Sequence, residues 1–478
     1  MEKNDWYKNY LVKCAGFGDS PWDQELDEML IKWKKAAERL ELTEEDHKYA
    51  VTEWIPRHFD IRLEGVRKTI GMVTAEIADM MMALERKERG EKIVYGVLPA
   101  HSSFYRALKF TDPRINTYFV DATMISLIQT FFHKVAPLLE YAEEHGVRVG
   151  CRHCALNKTR YALLRKGLVP LPDVSWIWGF VCDQAPHADE FIKEYWNKEY
   201  HTIFSRISHH GLAHEKEYEN DEMVKYLGEV MRDGYEQVCK ILGIKVDEKA
   251  IMKALEERIS FINRYAELAK LMAADPSPIS GEVALTLTFP TFMASNTGYK
   301  YANDALDALV KDAKRKVDKG EGVVPKGSPK GMAWFIPYCN PFVPRMFEEN
   351  GVAMPYCEAL LPSKAELEPP TYTDPFEANA QAFLKWSLAT NWGTKADLTI
   401  EKMETYNVDF IVWGFLDFDR WLGSDHKLCS RYVEEKTNKP CFYIEGDIWE
   451  DRDYSEAALR TRIETICEIV KARKAAAI

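Results

Sequence analysis

Two cysteines three residues apart, Cys151 and Cys154, stand in residues 148–167, RVGCRHCALNKTRYALLRKG. A third, Cys182, follows an apolar run in WGFVCDQAPHADEF. Thiolates are soft ligands that suit zinc or iron–sulfur clusters. A tetrahedral zinc site would take Cys151, Cys154, Cys182 and His187. Against zinc, no Gly-rich knuckle follows the pair, and the flanks have the look of regular helix and strand. A dithiol redox pair is the weaker reading, because no thioredoxin-like strand precedes it. Small buried thiols are the plain alternative. They account for Cys14, Cys239, Cys339, Cys357, Cys429, Cys441 and Cys467, which lie in helical or strand patterns.

Proton-transfer chemistry points to His101, in LPAHSSFYRA, with Ser102 and Ser103 beside it. Either serine could instead cap the helix that follows. Histidines 153 and 187 flank the cysteines, and His209 and His210 read as solvated loop residues. The basic run Arg148, Arg152, Lys158, Arg160, Arg165 and Lys166 offers a phosphate-bearing ligand a local patch on a protein of net charge −12. A solvated helix face explains the same run equally well. The acidic stretch EGDIWEDRD fits no calcium loop and reads as a strand-end turn leading into a helix cap.

These groups need elements to hold them. At 478 residues, two or three packed units are expected. The first 90 residues carry helical periodicity, and VRKTIGMVTAEIADMMMALERKERG reads as one helix stopped by Gly90. Short runs rich in β-branched and aromatic residues follow, namely KIVYGVLPA, NTYFVDA, DVSWIWGFV and HTIFSRI. Helical stretches such as IQTFFHKVAPLLEYAEEHG lie between them. Apolar strands alternating with helices predict a parallel sheet covered on both faces. Two long helices and a Gly- and Lys-rich connector come next. The strand–helix rhythm then returns in GMAWFIPY, VDFIVWGF and PCFYIEGD. The reading is α/β with two parallel-sheet domains: a helical extension over 1–90, a first α/β domain over 91–265, a helical connector over 266–325 and a second α/β domain over 326–478.

In this sequence Cys154 opens a helix-like segment, where free N–H groups and the positive dipole end favour a thiolate. Cys182 ends a buried strand, the place where open α/β sheets put ligands. The acidic balance argues against nucleic acid or an anionic membrane as partner. The charged start MEKNDWYKNYLVK lacks the apolar core of a secretory signal, so a cytoplasmic protein is expected.

Five pieces in order resemble the 2-hydroxyacyl-CoA dehydratase family, which also contains the cluster-bearing subunits of ATP-dependent benzoyl-CoA reductases. They are CALNKTRYALLRKG, VCDQAPHADEFIKEYW, PSPISGEVAL, PKGMAWFIPYCNPFVPRMFEENG and EEKTNKPCFYIEGDIWEDRDYSEAALRTRIE. The resemblance implies a subunit of a heteromeric enzyme acting on an acyl-CoA thioester. A separate ATP-dependent iron–sulfur activator would supply a low-potential electron, forming a ketyl radical anion on the thioester. It implies a second subunit of the same family, and a [4Fe–4S] cluster held at positions that fall here on Cys154, Cys182 and Asp419. Asp419 stands where the family has a third cysteine. It also implies that His101, with Ser102 and Ser103 beside it, stands in a turn that faces substrate; Lys158 and Arg160 of the basic run are the candidate contacts to the phosphates of a CoA thioester. Dehydration of a 2-hydroxyacyl-CoA leads, aryl-CoA reduction is the alternative, and Asp419 keeps open a cluster-free acyl-CoA-binding or scaffold subunit.

Overall fold

The computed structural model describes residues 5–97, 102–147, 153–179, 182, 184–208, 212–283, 296–334, 339–415, 420–452 and 454–476. Within these, eight strands form two parallel sheets. The first joins β1 (Lys92–Gly96), β2 (Ile115–Tyr118), β3 (Val174–Gly179) and β4 (Thr202–Arg206) in the order β2-β1-β3-β4. The second joins β5 (Lys330–Trp334), β6 (Ala353–Cys357), β7 (Phe410–Phe415) and β8 (Cys441–Glu445) in the order β6-β5-β7-β8. The two halves therefore share one topology. Strand order reverses between β1 and β3, and again between β5 and β7. Such switch points leave a crevice outside the carboxyl ends of the strands.

The strands read as expected for burial on both faces. β5 and β6 are buried along their whole length, and β1 along all but its first residue. The edge strand β4 instead alternates buried Ile203 and Ser205 with exposed Phe204 and Arg206, so one face meets solvent. Register in the first sheet pairs Val94 with Thr117 on one side and Val174 on the other.

Several local readings change. The segment expected to be one helix before Gly90 is two, Glu64–Met80 and Ala83–Glu88. IQTFFHKVAPLLEYAEEHG is broken at His133, which takes a left-handed conformation (φ 52°) between helices Val120–Phe132 and Ala136–Glu144. NTYFVDA is strand only to Tyr118, because Val120 already starts a helix. β6 and the helices Pro375–Leu384 and Trp392–Thr405 fill a stretch where the sequence showed no clear period.

The amino-terminal helices pack into the body of the protein. Helix Glu64–Met80 lies along helix Lys300–Lys319, and at Gly65 the approach is so close that a β-carbon would sit 2.5 Å from the Leu309 nitrogen. Trp22 Nε1 donates to Asp304 Oδ2 (2.8 Å), and the buried Glu76 carboxylate accepts from the Asn296 amide (2.7 Å). One continuous apolar cluster runs from Tyr10 through both sheets to Val470.

His47 sits inside this extension with both ring nitrogens engaged. Its Nδ1 donates to the Thr43 carbonyl (2.8 Å) and its Nε2 accepts from Trp33 Nε1 (2.9 Å). Burial pulls its pKa down to about 4, and burial does the same to His58. In the unfolded chain an imidazole titrates near 6.5, so between that value and about 4 the unfolded state binds more protons. Stability is therefore full above pH 6.5 and falls as the pH drops towards 4. Urea midpoints measured across this window should fall steadily, and replacing His47 should flatten part of the slope. A midpoint constant from pH 7 to 5 would contradict the assignment.

Candidate functional site

Cys154 is the N-cap of helix Ala155–Arg165, with extended backbone (φ −67°, ψ 164°) and a buried side chain. The first amide of that helix, Ala155 N–H, donates to Asp447 Oδ2 (2.8 Å). Asp447 belongs to the EGD turn after β8, 292 residues away in the chain. Its other oxygen accepts from Trp449 N–H (2.9 Å), and its carbonyl accepts from Tyr454 OH (2.6 Å). An orphan donor at a helix start is thus satisfied by a carboxylate from the opposite sheet.

Cys182 lies just past β3, half-buried against Val97, Ile177 and Ala185 at the switch point of the first sheet. It is close enough to Cys154 for each to feel the other's charge. Burial first, then Asp447 and Cys182, hold the Cys154 thiol far above its ordinary pKa, while the Asn157 amide opposes them. A bound cation reverses this balance, because it favours the thiolate and displaces the proton. The structure therefore brings together the two thiols singled out in the sequence, and it adds Asp447, which the sequence reading assigned only to a turn. Cys339 feels the charge of the same Asp447. It is fully buried 3.9 Å from Ser126 Oγ, and burial with the Asp447 charge pushes its thiol up to about 12.

Cys151, His101, His209, His210 and Asp419 lie outside the described residues, as do Arg148 and Arg152 of the basic run. His187 is well exposed and pairs with Glu190 (3.5 Å). His153 is partly buried with its Nδ1 unpartnered among the described residues, and burial followed by the nearby cations lowers its pKa to about 4. Ser102 and Ser103 are the first two residues of helix Ser102–Thr111, after the cap position. The Ser103 hydroxyl is buried and makes no capping bond. It has no hydrogen-bond partner among the described residues.

The two cations proposed for phosphate are engaged within the protein. Lys158 Nζ binds Glu143 Oε1 (2.9 Å), and the same carboxylate receives Arg452 from the second half (2.9 Å). Arg160 is fully buried between Asp121 (3.0 Å) and Asp189 (2.7 Å), and it also donates to the Ala185 carbonyl (3.3 Å). Asp189 accepts in addition from Ser175 Oγ (2.9 Å) and Tyr200 OH (3.1 Å). Arg160 thus ties the Cys154 helix to the segments before and after it, and no face of it meets solvent. Sequence reasoning missed Asp121 and Asp189 as ion-pair partners, because Asp189 had no role of its own within VCDQAPHADEFIKEYW and Asp121 stood in a run read as strand. Their only signal was a carboxylate at a position otherwise inside an apolar helix or a helix start.

Among the described residues no group of three or more metal-binding side chains stands complete, and no helix is long and apolar enough to cross a membrane. No curated protein matches the chain. Residues 124–470 match the family described as 2-hydroxyglutaryl-CoA dehydratase, D-component. That span takes in the Cys154 helix, Cys182, the second sheet and the EGD turn, and the chain belongs to the 2-hydroxyglutaryl-CoA dehydratase D-component family.

Proposed function

We propose that the chain serves a 2-hydroxyacyl-CoA dehydratase by single-electron chemistry on the acyl-CoA thioester. Cys154 and Cys182 carry this reading: a helix N-cap and a strand end bring two soft donors together at a switch point. The donor set suits iron–sulfur ligation. A [4Fe–4S] cluster held by Cys154, Cys182 and Asp419 would supply one-electron transfer when bound.

The protein's own residues do the rest. Asp447 fixes the start of the Cys154 helix against the second half, and the Glu143 bridge between Lys158 and Arg452 holds the same two parts together. Cys154 is buried within the apolar cluster of the protein, and so dry a place would strengthen electrostatic contacts with a bound thioester. Ser103, buried with no hydrogen-bond partner for its hydroxyl among the described residues, can donate to or accept from substrate, and His101 is the proposed proton carrier near it in the chain. The family is that of a component, which implies a partner subunit. We assign an ATP-dependent iron–sulfur activator as the electron source.

The test is anaerobic purification of the chain with its partner subunit. Iron, sulfide and conversion of a 2-hydroxyacyl-CoA to the 2-enoyl-CoA are then measured with and without activator and ATP. Iron, sulfide and strictly activator-dependent dehydration are expected. Turnover by the chain alone would overturn the reading. Reduction of an aryl-CoA without dehydration would move the chain to the reductases. Acyl-CoA binding without iron would leave a cluster-free binding subunit.

A further inference from the structure

His426 lies on helix Arg420–Thr437 and is 1% exposed. Its Nδ1 is 2.6 Å from the Gly414 carbonyl on β7. A carbonyl only accepts, so Nδ1 carries the proton and Nε2 presents a bare lone pair. Burial, then the Lys395 charge, keeps the ring neutral by lowering its pKa far below the ordinary value, with the Gly414 bond opposing. Nε2 has no hydrogen-bond partner among the described residues.

The contrast with His47 is direct. That histidine is equally buried, but it uses both nitrogens. A buried acceptor left unsatisfied is costly, and folded proteins rarely keep one without a use.

The surroundings say where the lone pair is. The His426 ring packs edge-on against Trp334, the last residue of β5 (5.5 Å, 85°), and against Trp413 of β7 (5.2 Å). It therefore sits beside the last residue of β5 and the carboxyl half of β7, the two strands between which the order of the second sheet reverses, near where sheets of this kind bind ligands. Lys395 is fully buried, is paired with Asp425 and lies over the Trp334 ring (5.1 Å), so this cation beside His426 is already neutralised. Among the described residues this leaves a buried acceptor, walled by aromatic rings, beside a cation that is already paired. Such an acceptor takes an N–H or O–H donor.

We propose that His426 Nε2 accepts a hydrogen bond from the acyl-CoA substrate. This rests on the function proposed above and makes the second sheet's switch point part of the substrate site. Two donors of the ligand share this chemistry: the 2-hydroxyl and the amide N–H groups of the pantetheine arm. The test is binding of a 2-hydroxyacyl-CoA, and of the same ester lacking the hydroxyl, to the enzyme assembled with its partner subunit. Quenching of tryptophan fluorescence reports binding, since Trp334 and Trp413 flank the ring.

His426→Asn keeps a donor for the Gly414 carbonyl and removes the acceptor at Nε2. It should weaken binding about 10- to 100-fold, the weight of one buried donor left unpaired, with little change in Tm. His426→Gln, which restores an acceptor near the Nε2 position, should recover part of the loss. Weakening seen only with the hydroxylated ester assigns the 2-hydroxyl, and weakening with both esters assigns the amide. Unchanged affinity in the Asn variant, or a fall in Tm without a fall in affinity, makes His426 a structural residue and overturns the proposal. If the wild-type enzyme binds neither ester, the proposed function fails and this inference fails with it.

Discussion

Replacing Arg160 with alanine is expected to destabilise the protein by about 3–5 kcal/mol, because removing one member of a buried ion pair leaves charge uncompensated. Here two carboxylates would be stranded, Asp121 and Asp189, both at most 1% exposed. The cost falls on the first sheet and on the helix that Cys154 caps, so loss of soluble protein or a large drop in Tm is the expected result. Lys166 supplies the control. It pairs with Glu41 (3.1 Å), whose side chain is largely exposed, and its alanine variant should stay within about 0.5 kcal/mol of wild type. The two roles for Arg160 separate cleanly by thermal unfolding and acyl-CoA titration. A variant with wild-type Tm and weakened acyl-CoA binding would restore the phosphate contact and contradict the buried triad.

The second large effect is on the thiols. Cys154→Ala and Cys182→Ala should each abolish iron binding and turnover while leaving the far-ultraviolet circular dichroism intact, since each removes one of few soft ligands without opening a large cavity. Cys151→Ala should retain iron. Asp419→Cys should make the site more resistant to oxygen and chelators, because a thiolate is the softer and stronger ligand. Asp447→Ala is the informative companion. It removes the carboxylate that holds Ala155 N–H and should cost about 10–100-fold in metal affinity, the usual weight of a group that orients a ligand. Iron and sulfide assays with electron paramagnetic resonance check all five positions. Zinc found on Cys151, Cys154, Cys182 and His187 would show the ligand assignment to be wrong.

The α/β class was legible because its signals are local. Runs such as KIVYG and FIVWGF are apolar on both faces and β-branched or aromatic, and that pattern suits a strand covered on both sides. The stops were legible for the same reason: Gly243 and Gly320 end their helices in the left-handed conformation that glycine adopts without strain. β6 escaped because AMPYC is five residues long and includes a proline, too short and mixed to show a period. The break at His133 escaped because the apolar period continues across it while the backbone turns.

At the site, the sequence determined which residue types could act and roughly where they would stand. Cys154 at a helix start and Cys182 past a strand follow from patterns of a few residues, and the order of motifs along the chain marks the family. Tertiary structure alone decided what each group faces. Arg160 looked like part of a basic face, yet its partners lie 39 and 29 positions away and enclose it completely. Asp447 looked like a turn residue, yet it caps a helix of the other sheet. His426 carried no motif, and only the crossing of β5, β7 and their covering helix satisfies one of its nitrogens and leaves the other without a partner among the described residues. Propensity and capping are settled between near neighbours in the chain. Burial, charge pairing and an unpaired lone pair are settled between residues that meet only when the sheets close.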